Sequence, residues 1–552
     1  MPRDIPVGNG DLLVTFDHLY RVRDLYFPHV GKHNHTGGHV QRFGVWADGA
    51  LAWVEEEGWS RELRYKADTL VTDVRLTHDR LGLELTCNDA VDFHEAVLFR
   101  HISVRDLKGK PRDVRLFFHV DLSINGSAVG DTANYDPGTS AVVLYKDDAY
   151  FLINACDRHK CGIDHWAIGA KRVGGAEGTW RDAEDGQLGR NAISQGSVDA
   201  TVGFNLMVPA NGEAHVTSWI ACGHSYDQVR ALNDRIWTKG ADKMLQRTEA
   251  YWRLWCRKEP IDTSPLPEPI RDLYYRSQLI LRTQIDNGGA IIAANDSDIT
   301  HFAGDHYSYC WMRDGALVAN ALIMSGQSEL SRAFFRFAGG CVEDEGYFLH
   351  KYTPEGALAS SWHPWMLDGK KILPIQQDET ALVLWALRRH YDRFRDVEFI
   401  KPLYSRSGRE AAGGCWPTAT TAGSPALVGP VGERPGRASV HVRRDDPGAV
   451  RRGPVARRTS ASPTVPSPSA SADRMKRRPV QALHVAPGPQ LLRPDGRPPR
   501  RRDVPPGHDA GLGELRGCSR SPGSTRTTRR SSTRCGSTRD ALLVKTSDGG
   551  YA

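Results

Sequence analysis

A chain of 552 residues is long enough for two or more domains, and 40% hydrophobic residues supply an ordinary globular core. No apolar run approaches the roughly 20 residues that a bilayer span needs, which excludes a helical membrane protein. The net charge of +6 does not describe the whole chain: residues 405–540 hold 25 Arg and one Lys against ten Asp and Glu, a net of +16, leaving −10 for the rest.

Residues 1–240 read as an antiparallel β-sandwich. Runs at 12–16, 51–54, 81–86, 114–119, 141–145 and 216–220 are rich in Val, Phe, Tyr and Leu, and Gly, Asn and Asp turns separate them. Many short strands at regular spacing are the sandwich pattern. The run Lys32-His33-Asn34-His35 is read as a turn in this domain rather than a metal site. Cys156 and Cys161 stand close, but no second pair or His cluster completes a zinc set. No metal or other cofactor is therefore expected. The opening MPRDIPVGNGD has no apolar secretory region, so a cytoplasmic protein with reduced thiols is expected.

From about Tyr226 the hydrophobic period becomes helical, and 241–265 reads as a helical linker. A helix over 268–286 places Ile270, Leu273, Ser277, Ile280, Leu281 and Gln284 on one face. Further helices are expected at 314–325, 328–337 and 378–394. Residues 266–404 make a second domain.

The stretch His306-Tyr307-Ser308-Tyr309-Cys310-Trp311-Met312-Arg313-Asp314 carries the chemistry. Its aromatic rings stand directly beside an Arg–Asp pair. Rings cover the apolar C–H face of a sugar, and a fixed guanidinium and carboxylate grip its hydroxyls. A buried ion pair under an aromatic core patch is the competing reading.

YSYCWMRDGALV resembles the first sugar-binding segment of the glucoamylase family of inverting glycosidases, glycoside hydrolase family 15. Ser361-Trp362-His363-Pro364-Trp365, Ile375-Gln376-Gln377-Asp378-Glu379-Thr380-Ala381 and the opening Asn9-Gly10-Asp11-Leu12 resemble the bacterial branch, in order, over residues 8–404. The resemblance implies an N-terminal β-sandwich followed by an (α/α)6 barrel, here only partly present. It implies that Tyr307 and Trp311 line the pocket and that Arg313 and Asp314 bind the terminal glucose. Either Trp362 or Trp365 stacks on a sugar. Asp378 lies near the family's catalytic region, though a helix N-terminal acid explains it equally well. Glu379 and Asp344 are read as solvated surface charges.

Residues 405–540 break this pattern. They contain no Phe, Tyr, Ile or Asn and are dense in Arg, Pro, Ser, Gly and Ala. Such a segment cannot bury enough apolar surface to offset its ordering entropy and reads as disordered. The preferred reading is an out-of-frame translation of GC-rich DNA. Codons for 427–442, read from the second base, permit SWDLWENGRGVHPFT, which resembles the family's general-acid segment. Gly432-Glu433 then occupies the acid's place in the wrong context. Residues 541–552 read as a return to frame, and the family's general base is expected to be missing.

The expected function is exo-acting release of glucose from α-glucans with inversion, impaired here by loss of both catalytic carboxylates. A trehalose-cleaving member of the same family and a non-catalytic carbohydrate-binding protein are the alternatives. The expected partner is an oligosaccharide or α-glucan. Neither a membrane nor nucleic acid is expected as partner: no apolar run is long enough to span a bilayer, and the Arg-rich segment, without interleaved aromatics, would bind nucleic acid without sequence preference at best.

Overall fold

The computed structural model describes residues 5–259, 261–295, 306–344, 346–360, 365–367, 369–371 and 373–403. Strands β1 (Ile5–Gly8), β2 (Leu13–Phe16), β3 (Val22–His29) and β4 (Lys32–Asn34) form one antiparallel sheet in that order. A nine-stranded sheet has Glu213–Gly223 and Val97–Asp106 near its centre. A five-stranded sheet places Arg112–Val120 between Val198–Val208 and Arg42–Ala47. Alternation explains how each strand chooses its faces. In Thr72–His78 the side chains of Val74 and Leu76 are buried, while Arg75 between them is exposed. Leu85, Ile102, Val104, Leu116, Phe118 and Phe204 belong to one buried core cluster, as a two-sheet sandwich requires.

The strands of the sandwich end at Gly223, and helix α1 (Tyr226–Lys239) starts where the helical period was expected to begin. Ser225 caps it by accepting the Gln228 N–H. With α2 (Ala241–Cys256) it covers the nine-stranded sheet, where Val229, Ile236 and Met244 pack on Phe99 and Trp219. A linker pattern thus forms a third layer.

Most of the His-rich run is strand rather than turn: Lys32–Asn34 is extended, and His35, in the turn that follows, is fully buried with Nε2 at 2.7 Å from the Phe27 carbonyl oxygen. Burial pulls its pKa down to about 4, so the ring is neutral. Cys156 and Cys161 are joined in a disulfide rather than reduced, whereas Cys87, Cys222, Cys256, Cys310 and Cys341 are free and buried.

The helical region follows with α3 (Glu268–Thr283), α4 (Met312–Met324), α5 (Ser328–Cys341), α6 (Gln377–Phe394) and α7 (Val397–Leu403). Ala316, Ala319, Phe334, Leu382 and Ala386 form the core between α4, α5 and α6. Gly315 permits this approach, since a Cβ there would stand 2.4 Å from the Phe334 ring. Helix α3 buries a different face from the expected one. Ile270 and Leu273 are 50% and 60% exposed, while Leu279 packs on Trp252 and Trp255. The period was that of a helix, but its neighbours cover only its second half. Trp362, Gly432, Glu433 and the whole of 405–552 lie outside the described residues.

The first sheet joins the two regions, which belong to one compact unit. Leu13, Tyr26 and Val30 are buried in the helical core with Ile285, Ile292 and Cys310. Asp286 accepts the Val30 N–H at 3.0 Å and lies 3.1 Å from His29 Nδ1. The β1–β2 turn also docks: Asn287 Nδ2 donates to Asp11 at 2.8 Å, and its N–H donates to the Gly10 carbonyl at 3.0 Å.

Gly10 adopts φ +106°, and a Cβ would stand 2.2 Å from Asn287 Oδ1. Gly10→Ala is therefore expected to destabilise the protein by more than about 1 kcal/mol in urea unfolding. Gly49→Ala, at φ +80° with nothing within 4 Å, is expected to cost less. Equal losses would contradict the contact.

Candidate functional site

The site forms where two helix N-termini meet. Helix α4 starts at Met312 and α6 at Gln377, and both first turns carry acids: Asp314 on one, Asp378 and Glu379 on the other. Acids suit the positive end of a helix dipole. Trp311, the residue before α4, gives no side-chain cap. Glu379 supplies one from the other helix, its Oε2 accepting the Met312 N–H at 3.2 Å.

Arg313 sits at the centre. Its Nη1 donates to Gln376 Oε1 at 2.9 Å and to Asp378 Oδ2 at 3.1 Å. Glu379 Oε1 lies 3.8 Å from Nη1, and Asp314 Oδ2 lies 3.6 Å from Nε. One cation thus faces three carboxylates. Burial works against the Arg313 charge, but Glu379, Asp378 and Asp314 outweigh it and raise its pKa. Burial raises the Asp314 carboxyl and pushes that of Glu379 well above the carboxylate range, against the pull of Arg313. Gln376 Nε2 and Asp378 Oδ1 are buried and lack a hydrogen-bond partner among the described residues. Orphaned groups beside a guanidinium mark a place that a polar ligand or water completes.

An aromatic row runs beside this cluster. The Tyr307 and Trp311 centroids are 6.0 Å apart, Trp311 meets His350 edge-on at 6.0 Å, and His350 meets Trp365 at 5.3 Å. Lys351 Nζ lies 4.1 Å from the Tyr309 centroid and 5.4 Å from that of Trp311. The structure therefore brings Tyr307, Trp311 and Trp365 into one row, and Trp311 directly precedes the first turn of α4 that carries Arg313 and Asp314. Trp311 and Trp365 are buried, while Tyr307 is half-buried.

Sequence reasoning missed four members. Gln376, His350 and Lys351 carry no spacing signal. Glu379 is not a solvated surface charge: its side chain is fully buried, because α6 packs directly against α4. Asp378 is both a first-turn acid and a partner of Arg313. Asp344 is exposed, as expected. Among the described residues no group of three His, Cys, Asp or Glu side chains is placed to hold a metal ion.

The Glu379 shift has a sign that can be tested. A carboxyl whose folded pKa lies above its unfolded value holds its proton more tightly when folded. The folded state then loses stability as pH rises past the ordinary 4.5. Glu379→Gln keeps the acceptor for Met312 N–H but cannot ionise. Its melting temperature is expected to rise relative to the parent as pH increases above that value. Parallel melting curves across pH would contradict a Glu379 pKa raised by burial.

Residues 268–356 match the model for glycosyl hydrolases family 15. An uncharacterised glycosyl hydrolase of Methanocaldococcus jannaschii is 23% identical over 418 residues, covering 72% of this chain and 61% of the relative. Among solved structures, a bacterial glucoamylase complexed with acarbose matches with a TM-score of 0.64 at 16% identity, over 85% of this chain and 64% of its own. A putative kojibiose phosphorylase from the human microbiome matches with a TM-score of 0.55 at 10% identity, over 86% and 67%. The chain spans under two thirds of the length of the curated relative and of the glucoamylase. The protein thus has a glucoamylase-like fold, and its segment 268–356 carries the pattern of the family 15 glycosyl hydrolases.

Proposed function

We propose that the Arg313 cluster and its aromatic row bind the terminal glucose of an α-glucan, and that the intact gene encodes an exo-acting, inverting glucoamylase-like hydrolase. The observation that carries this is the clamped guanidinium. Gln376 and Asp378 fix Arg313 while orphaned polar atoms stand beside it. Aromatic rings border the same spot. The likeness to a glucoamylase complexed with acarbose supports the reading.

For this chain as written we propose binding without turnover. An inverting glycosidase needs two carboxyls roughly 6.5–9.5 Å apart, one on each face of the scissile bond. Asp314, Asp378 and Glu379 instead gather within 3.1–3.8 Å of one guanidinium. We assign them to holding Arg313 and the sugar rather than to the acid and base roles, since Gly432-Glu433 stands in the general acid's place out of context. The out-of-frame origin of 405–540 belongs to the same proposal. Resequencing is expected to find one inserted or missing base near codon 405, and a confirmed DNA sequence would sink that part. The cytoplasmic setting is also proposed. The Cys156–Cys161 bond counts against it, because cytosolic thiols stay reduced. No helix among the described residues is long and apolar enough to cross a membrane.

Titration calorimetry with acarbose, maltotriose and trehalose is the test. Acarbose or maltotriose is expected to bind the parent, and Arg313→Ala is expected to weaken binding by at least about tenfold, the loss of one charge-assisted contact. No heat with any of the three sugars, or equal affinity in the variant, would overturn the site. Tighter binding of trehalose than of maltotriose would move the substrate to trehalose. Glucose release from maltotriose by this chain would overturn the claim of no turnover.

A further inference from the structure

The β3–β4 hairpin reaches 282 residues along the chain to touch the aromatic row. Tyr26 Oη and Ser308 Oγ share a hydrogen bond of 2.8 Å. Both side chains are buried, at 2% and 0% exposure. Ser308 lies between Tyr307 and Tyr309, so this bond grips the segment at its middle. The hairpin tip abuts the same backbone. A Cβ on Gly31 would stand 2.8 Å from the Ser308 carbonyl oxygen and 2.7 Å from Ile292 Cγ2. Behind the bond, Tyr26, Leu13 and Val30 pack with Cys310 and Met312. Lys32 and Glu355 pair at 2.7 Å across the same joint.

The segment needs such a hold. Residues 306–311 form neither helix nor strand beyond one isolated bridge between Cys310 and Tyr352. Its backbone carbonyls are also used: the Ala293 N–H donates to Tyr309, the Ala294 N–H to Tyr307 and the Gly315 N–H to Trp311. Rings in an irregular segment keep their orientation only if something outside it fixes the backbone.

We propose that Tyr26 is a positioning residue for the sugar site, acting through Ser308 to set the rings of Tyr307, Tyr309 and Trp311. The β-sandwich then contributes to binding without touching the sugar. Only the binding arm of this proposal rests on the function proposed above. Tyr26→Phe removes one hydroxyl and leaves the ring packed. Ser308→Ala removes the other partner.

Hydrogen–deuterium exchange on the full chain provides the readout. In each single variant, exchange of the peptide 306–313 is expected to rise about fivefold, the worth of one buried hydrogen bond. The peptide 97–106, in the centre of the sandwich, is expected to stay at parent rates. The double variant is expected to match the singles, because both remove one bond. Acarbose affinity by titration calorimetry is expected to fall in parallel, with the melting temperature lowered by no more than about 4 °C.

Unchanged exchange at 306–313, or an equal rise in both peptides, would overturn the proposal. So would additive effects, or raised exchange with parent affinity. If the parent binds no sugar, the sugar-site reading fails, and the exchange pattern alone still decides whether Tyr26 positions the segment.

Discussion

The molecule depends on the burial of one face of a small β-sheet inside a helical core. Leu13 and Tyr26, paired across β2 and β3, and Val30 in the β3–β4 turn belong to the cluster that holds α4 and its neighbours. Each is at most 2% exposed, and burying such a side chain contributes about 1.5–3 kcal/mol. The Lys32–Glu355 pair at the same joint is about a third exposed on both sides and contributes about 0–1 kcal/mol. Apolar burial therefore holds the joint, and the polar contacts fix its register. The helical region does not own a complete core without the sheet.

The sugar site follows from that constraint. Two helices present their N-termini to one guanidinium, and the joint delivers an aromatic segment beside it. Two helix dipoles and one arginine favour ionised acids, whereas full burial of Glu379 disfavours its charge. Burial wins at Glu379, the most enclosed of the three acids. Asp314, whose side chain is 43% exposed, keeps solvent contact and can meet a ligand.

Much of this was legible from local pattern. The 12–16 run became the strand Leu13–Phe16, and the 314–325 pattern became Met312–Met324, because strand alternation and helical period are local properties. What failed required knowledge of neighbours. Glu379 looks like any first-turn acid until α4 is laid against it. Ile270 and Leu273 have the right period but no cover. His33 reads as part of a turn because its strand is only three residues long and sits between two turns. The Tyr26–Ser308 bond joins residues too far apart for any motif to show. The site residues came from a resemblance, and their grouping came from the fold.

A crystal structure grown with acarbose tests the central claim most directly. The account predicts a sugar ring against Tyr307 and Trp311, with its hydroxyls bonded to Arg313 and Asp314 and the β3–β4 hairpin in place beneath Ser308. Acarbose bound elsewhere, or an unliganded Arg313 cluster at saturating acarbose, would contradict it.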